Sequence, residues 1–185
     1  MNLKNKITSA IAAATLLGGG IISVVKHNEG YSESAYQDGA GVWTICYGDT
    51  RGVKRGMRLT MDVCDAQLRD SIAEHTKALA GLPESTPDVV ILGSIDMAYN
   101  IGVSGFSTST QKKHLLNGDY NKAGYAVLSW RYITLPNGVK YDCSQLVHGK
   151  PNKVCWGLWE RRQWQSKAIG NTFKSVQEAL DNLPK

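Results

Sequence analysis

The chain has 185 residues, enough for one domain of about 150 residues with a substantial core plus a short extra segment. Its net charge of +5 comes from scattered basic residues, and no finger spacing or Gly-rich phosphate loop is present. The charge points to an anionic wall polymer or lipid surface more than to nucleic acid, with a merely solvated, mildly basic surface as the alternative.

Lys4 and Lys6 precede the run from Ile7 to Val25, which holds no charged side chain, and Lys26 comes directly after it. About 20 apolar residues cross a bilayer as a helix, and positive charges in front favour export of the downstream chain. A cleaved signal peptide needs a compact apolar core and then a small-x-small site. Ala12–Ala14 come too early for that, and a later cut would fall near Gly20 or Ser23. A permanent anchor would be rich in Leu, Ile and Phe, whereas this run is dominated by Ala, Gly, Ser and Thr and contains Gly18-Gly19-Gly20. An ordinary buried helix is a further alternative. The reading adopted is a weak anchor, because small residues contribute little transfer free energy and each glycine weakens a helix by roughly 1 kcal/mol relative to alanine. The expected organisation is residues 1–26 as anchor segment and 27–185 as a catalytic domain.

From Ala35 to Thr60 glycines alternate with β-formers, predicting a small antiparallel sheet with turns at Asp38-Gly39 and at glycines 41, 48, 52 and 56. Thr60 reads as an N-cap, and Cys64, Leu68, Ile72 and Leu79 succeed it at helical spacing to a stop near Gly81. Thr86-Pro87 opens a largely apolar central helix ending near Ile101. Shorter helices are expected near Ser109–Leu116, Asp119–Tyr132, Trp156–Ile169 and Ser175–Leu183, the last with Ser175 and Glu178 in capping-box positions. Thr134 to Cys155 reads as a long polar loop. The pattern is α+β, a small sheet lobe and then a larger helical lobe.

Four cysteines, Cys46, Cys64, Cys143 and Cys155, include no Cys-x-x-Cys, so no metal site is expected. An even count in an exported chain favours disulfides, with three connectivities open. The sequence-nearest pairs, Cys46–Cys64 and Cys143–Cys155, are the ones expected, and the second would staple the long loop.

Just past the apolar run, Glu29, Asp38 and Thr44 succeed one another with eight and then five residues between them. For a glycan substrate, hydrolysis needs an acid to protonate the leaving oxygen and a second carboxylate to assist water or stabilise the cationic sugar. Glu29 stands where a helix gives way to the sheet, a place for partial burial and a raised pKa. Asp38 lies on a Gly-rich turn, more solvated and ionised, and the Thr44 hydroxyl is suited to orienting water. Spacing alone is weak, since Glu33 and Asp49 are equally available carboxylates.

The run EGYSESAYQDGAGVWTICYG resembles the active-site signature of the phage-type lysozymes, glycoside hydrolase family 24. AYNIGVSGFSTST and GLWERR continue the resemblance as far as Ile169. It implies a lysozyme-like fold, with Glu29 as general acid, Asp38 as the carboxylate acting on water or developing charge, and Thr44 as the water-positioning hydroxyl. The implied substrate is the β-1,4 link between N-acetylmuramic acid and N-acetylglucosamine of peptidoglycan, cut without a cofactor. One departure is Asp49, where many members carry histidine.

Tyr99 and Asn100 are candidate glycan contacts. Trp43, Trp130, Trp156, Trp159 and Trp164 read mainly as core, His27 as an interfacial residue, and Arg161 and Arg162 as braces of the helical lobe. The N-terminal segment resembles the signal-anchor-release endolysins. This implies a monomer held in the host inner membrane with its catalytic domain in the periplasm, then released there in active form. A lytic transglycosylase and a non-catalytic, membrane-tethered wall-binding regulator are the rival readings.

Overall fold

A computed structural model of the chain describes every residue except Met1, Ala40 and Lys185. The apolar N-terminal run is not one rod. It forms α1 (Leu3–Ala12) and α2 (Leu16–Glu29), whose axes are bent by 82°. The bend is built locally. Ala14 takes φ +49°, and Thr15 then caps α2 by accepting from Gly18 N at 3.3 Å while donating back to Ala10 O at 3.2 Å. The two helices meet closely at Gly18, where a Cβ atom would lie 2.2 Å from Ala10 O. Leu3, Ile7, Ile11, Leu17, Ile21, Val24 and Val25 are all buried and belong to the same core as the rest of the chain. In the folded protein α2 runs unbroken across residue 26.

Next come β1 (Ser32–Gln37) and β2 (Trp43–Cys46), an antiparallel hairpin pairing Tyr36 with Thr44 and Ser32 with Cys46. Residues 57–59 add a third segment through Ala35 N to Met57 O and Leu59 N to Glu33 O, both 2.9 Å. This is the expected small sheet. The helix after Thr60 is α3 (Met61–His75), and a 3-10 turn over Thr76–Leu79 carries the chain toward Gly81.

The central helix, α4 (Asp88–Ser107), is buried from Val89 to Ala98 and packs against α2, α3 and the later helices. It kinks at Gly102, which takes φ +81°, one residue past the expected end at Ile101. α5 (Thr110–Leu116) and α6 (Tyr120–Val127) come next, then α7 (Trp156–Ile169) and α8 (Val176–Asp181). The helix expected to reach Tyr132 stops earlier, because Tyr132 begins a strand.

The expected long loop is instead two small hairpins. β3 (Tyr132–Thr134) pairs with β4 (Lys140–Asp142), and β5 (Leu146–Val147) pairs with β6 (Lys150–Pro151) through His148 and Gly149, both at positive φ. Buried Asn152 donates to Cys143 O and Gln145 O and accepts from Val154 N and Cys155 N, which satisfies backbone groups on both sides of the second hairpin. The disulfides are Cys46–Cys64, joining β2 to α3, and Cys143–Cys155, closing the hairpin region.

Candidate active site

Glu29 is the last residue of α2, and the chain leaves the helix there because Gly30 takes φ +71°, a conformation strained for any other residue. Its side chain is 22% exposed. Oε1 accepts from Arg161 Nη2 at 2.9 Å, while Oε2 faces Gly48, where a Cβ atom would stand 4.0 Å away. Burial raises the Glu29 pKa. The Arg161 charge and hydrogen bond oppose the rise without cancelling it, and the Asp96 charge adds to it. A carboxyl that keeps its proton above the usual glutamate range is suited to protonating a leaving oxygen.

Arg161, on α7, is held by a second carboxylate. Asp96 of α4 has a side chain 1% exposed and receives Arg161 Nη2 at 2.8 Å, Asn28 Nδ2 at 2.9 Å and Gln165 Nε2 at 2.6 Å. Glu29, Arg161 and Asp96 thus form one buried chain of charge linking α2, α7 and α4. Replacing Asp96 by Asn removes a negative charge that holds the Glu29 pKa up, so Glu29 loses its proton at lower pH. The alkaline limb of the kcat/KM profile of Asp96→Asn is expected to move to lower pH, and an unmoved limb in a folded variant counts against this coupling.

Asp38 and Thr44 come as a second unit, on the hairpin. Asp38 Oδ1 accepts from Val42 N at 2.9 Å, and buried Thr44 donates from Oγ1 to Val42 O at 3.0 Å. The same residue therefore fixes both, with Asp38 half-buried on the turn.

Beyond β2 the chain turns tightly, with Ile45 and Asp49 exchanging both backbone hydrogen bonds at 2.9 and 3.0 Å around Cys46, Tyr47 and Gly48. A cavity of about 240 Å³ opens beside this turn, lined among others by Gly48, Arg51, Gln67, His75 and Tyr99. Tyr99 packs its ring on His75 at 4.7 Å and donates to Tyr47 O at 3.3 Å, so it lines this cavity. Asn100 is exposed and accepts from Arg162 Nη2 at 2.5 Å, a tie to α7. Asp49, at the departing position, pairs with Arg51 at 2.9 Å, and that hydrogen bond holds its carboxyl below the usual range. His27 contacts Pro184 O at 2.7 Å. Among the described residues no group of three or more His, Cys, Asp or Glu is gathered to hold a metal ion.

Arg161 is more than the brace expected from sequence, since it touches Glu29 directly. Asp96 is a site residue that sequence reasoning missed. Its signal is a carboxylate inside the apolar run VVILGSIDMA, where a charge needs a partner.

Residues 26–165 match the phage lysozyme family. The chain is 33% identical over 175 residues to the SAR-endolysin of Escherichia phage N15, covering 87% of this chain and 92% of that protein. It is 33% identical over 150 residues to the SAR-endolysin of Escherichia phage 933W, covering 70% and 80% respectively. The fold is similar to that of the endolysin from Escherichia coli O157:H7 phage FAHEc1, with a TM-score of 0.69, 24% identity, and coverage of 84% of this chain and 94% of that one.

Proposed function

From the premise that this chain belongs to the phage lysozyme family, glycoside hydrolases that open the host cell wall, we propose that it cleaves the β-1,4 bond between N-acetylmuramic acid and N-acetylglucosamine. Glu29 gives its proton to the leaving oxygen. Asp38, on the hairpin turn, assists water or stabilises the positive charge developing on the sugar. The Thr44 hydroxyl orients the water, and Tyr99 and Asn100 contact the glycan. The single observation that carries this reading is the half-buried Glu29 carboxyl at the end of α2, bonded to Arg161 at 2.9 Å, with burial raising its pKa.

The expected products of wall digestion, read by mass spectrometry, are reducing N-acetylmuramic ends. Anhydro ends would instead make the protein a lytic transglycosylase, and intact wall would leave it a wall-binding protein.

The same reading extends to control. Residues 1–26 serve first as a weak anchor in the inner membrane and, after release, as α1 and most of α2, while residues 27–185 form the catalytic domain in the periplasm. Three observations support it. Relatives over most of the chain carry the name SAR-endolysin, and α1 and α2 together are long and apolar enough to cross a bilayer if straightened. The third concerns the apolar side chains themselves. Ile7, Ile11, Leu17, Ile21, Val24 and Val25 are out of water in the folded core and would be out of water in lipid, so the hydrophobic effect discriminates weakly between the two places.

With Val25 at the bilayer surface, Glu29 lies at most about 14 Å from it even in extended chain. The helix that presents Glu29 then cannot dock against α4 and α7, and the anchored enzyme is inactive. N-terminal sequencing of the soluble periplasmic form tests release. A start before Ile7 is expected, whereas a start near Gly20 or Ser23 would show cleavage.

A further inference from the structure

Two separate parts of the chain converge on Asp65 of α3. Lys26, the first charged residue after the apolar run, pairs with its carboxylate at 2.7 Å. The hydroxyl of Tyr47, in the turn after β2, donates to Oδ1 at 2.9 Å. Lys26 Nζ also lies 5.1 Å from the centre of the Tyr47 ring, and the Tyr31 ring packs beside this group at 5.3 Å from Tyr47. The hydrogen bond from Lys26 holds the Asp65 carboxyl below its usual range, so it stays ionised.

One residue before Tyr47 and one before Asp65, Cys46 is joined covalently to Cys64. The β2 turn and the start of α3 are therefore fixed to each other whether or not α2 is present. The partner that comes from a mobile element, in the release reading above, is Lys26. Lys26 and Glu29 stand three residues apart in α2, close to one side of the helix. The last turn of α2 is thus clamped twice, by Asp65 at Lys26 and by Arg161 at Glu29.

We infer that Asp65 is a positioning residue for the reaction: by receiving Lys26 and Tyr47 on one carboxylate, it sets the docked α2, and with it Glu29, against the hairpin that carries Asp38 and Thr44. This rests on the reading of Glu29 as the acid. Both side chains of the pair are partly exposed, 30% for Lys26 and 23% for Asp65, and such pairs contribute at most about 1 kcal/mol to stability. The effect of Asp65 is on alignment, to which rate responds far more steeply than stability does: a misplacement of about 1 Å can cost on the order of 100-fold.

The test uses the full chain released into buffer, with soluble peptidoglycan glycan fragments as substrate. Asp65→Asn and Lys26→Met are each expected to lower kcat by about 10-fold, with KM within about threefold. Their Tm should fall by no more than about 4 °C, the shift that about 1 kcal/mol gives in a domain of this size. Exchanging the charges, Lys26→Asp with Asp65→Lys, should restore kcat to within about threefold of wild type, as should Lys26→Arg, which keeps the cation. Wild-type kcat per folded molecule in Asp65→Asn and Lys26→Met overturns the inference. So does a loss of kcat in a well-folded Lys26→Arg, which covers the case of a charge exchange that folds poorly. Glu29→Gln, measured alongside, separates the two claims. If it is active, the assignment of the acid is wrong; if it is dead while Asp65→Asn is unimpaired, only the positioning role falls.

Discussion

Glu29→Gln is expected to lower kcat on peptidoglycan by about 1,000-fold, within the range of general acid catalysis, while wall binding persists. The substitution keeps the shape of the side chain and an oxygen for Arg161, so the loss is of the proton and not of the fold. It should also stabilise the protein at neutral pH. Burial raises the folded-state pKa of Glu29 above its unfolded value. The stability that goes with the protonated form is fully present below the unfolded pKa and is lost as pH rises through the folded one. Glutamine does not titrate, so the variant escapes that loss. Its Tm should exceed that of wild type at pH 7, and the gap should close in acid. Equal Tm values across this range, or retained lysis, would remove Glu29 from the acid role. An inactive variant that is more stable than its parent is the signature of a group kept for function at the expense of stability.

The second large effect separates two uses of the glycine triplet. Gly18→Leu and Gly19→Leu add the same apolar side chain to the N-terminal run, and both should prolong residence in the membrane and delay lysis. They differ in the folded enzyme. At Gly18 a Cβ atom would stand 2.2 Å from Ala10 O and 2.6 Å from Ile11 Cα, backbone atoms that yield only if α1 moves away. At Gly19 nothing lies within 4 Å. Gly18→Leu is therefore expected to destabilise the released protein by about 3 kcal/mol, the upper end for overpacking, and to lower Tm by roughly 6–12 °C. Gly19→Leu should leave Tm unchanged or slightly raised, since Gly is about 1 kcal/mol poorer than Ala in a helix. Thermal melts of the two soluble variants decide this, and equal destabilisation would refute the packing role of Gly18.

Legibility in the sequence tracks the range of the interactions involved. The helix after Thr60 announces itself by its local periodicity and the central helix by its long apolar run, although neither start carries a side-chain cap bond, and the small hairpin by its Gly-rich turns. The spacing of Glu29, Asp38 and Thr44 is a local motif, so the proposal for these residues starts from a single short window. Arg161 and Asp96 lie 132 and 67 residues from Glu29, the first by the separation of its hydrogen bond and the second by numbering, and no short window joins them. Asp65 meets Lys26 across 39 residues and is equally invisible. The bend in the N-terminal run is hidden for another reason: an Ala- and Gly-rich stretch has too little contrast between its faces to mark where one helix ends. The hairpins between Tyr132 and Pro151 do carry signals that a loop reading passes over. Asn137-Gly138 lies between two strands, and His148-Gly149 is a two-residue turn with both residues at positive φ.

If the N-terminal run passes from membrane to folded core as proposed, Ala14 distinguishes the two states at one torsion. In a bilayer every backbone donor and acceptor of the run must be satisfied within its own helix, which requires helical φ and ψ at Ala14. In the folded protein the same residue sits at φ +49°, a left-handed conformation that costs an alanine roughly 1–2 kcal/mol. The packing of α1 along α2 and the Thr15 hydrogen bonds to Ala10 and Gly18 hold it there. A carbon label on this one alanine would therefore report, by its chemical shift, which solvent the chain occupies, and could be tracked in whole membranes as they depolarise. The residue also offers a thermodynamic handle. Glycine at position 14 relieves the strain of the bent form and weakens the straight one, so it shifts the partition toward water from both sides and sets an earlier clock for lysis.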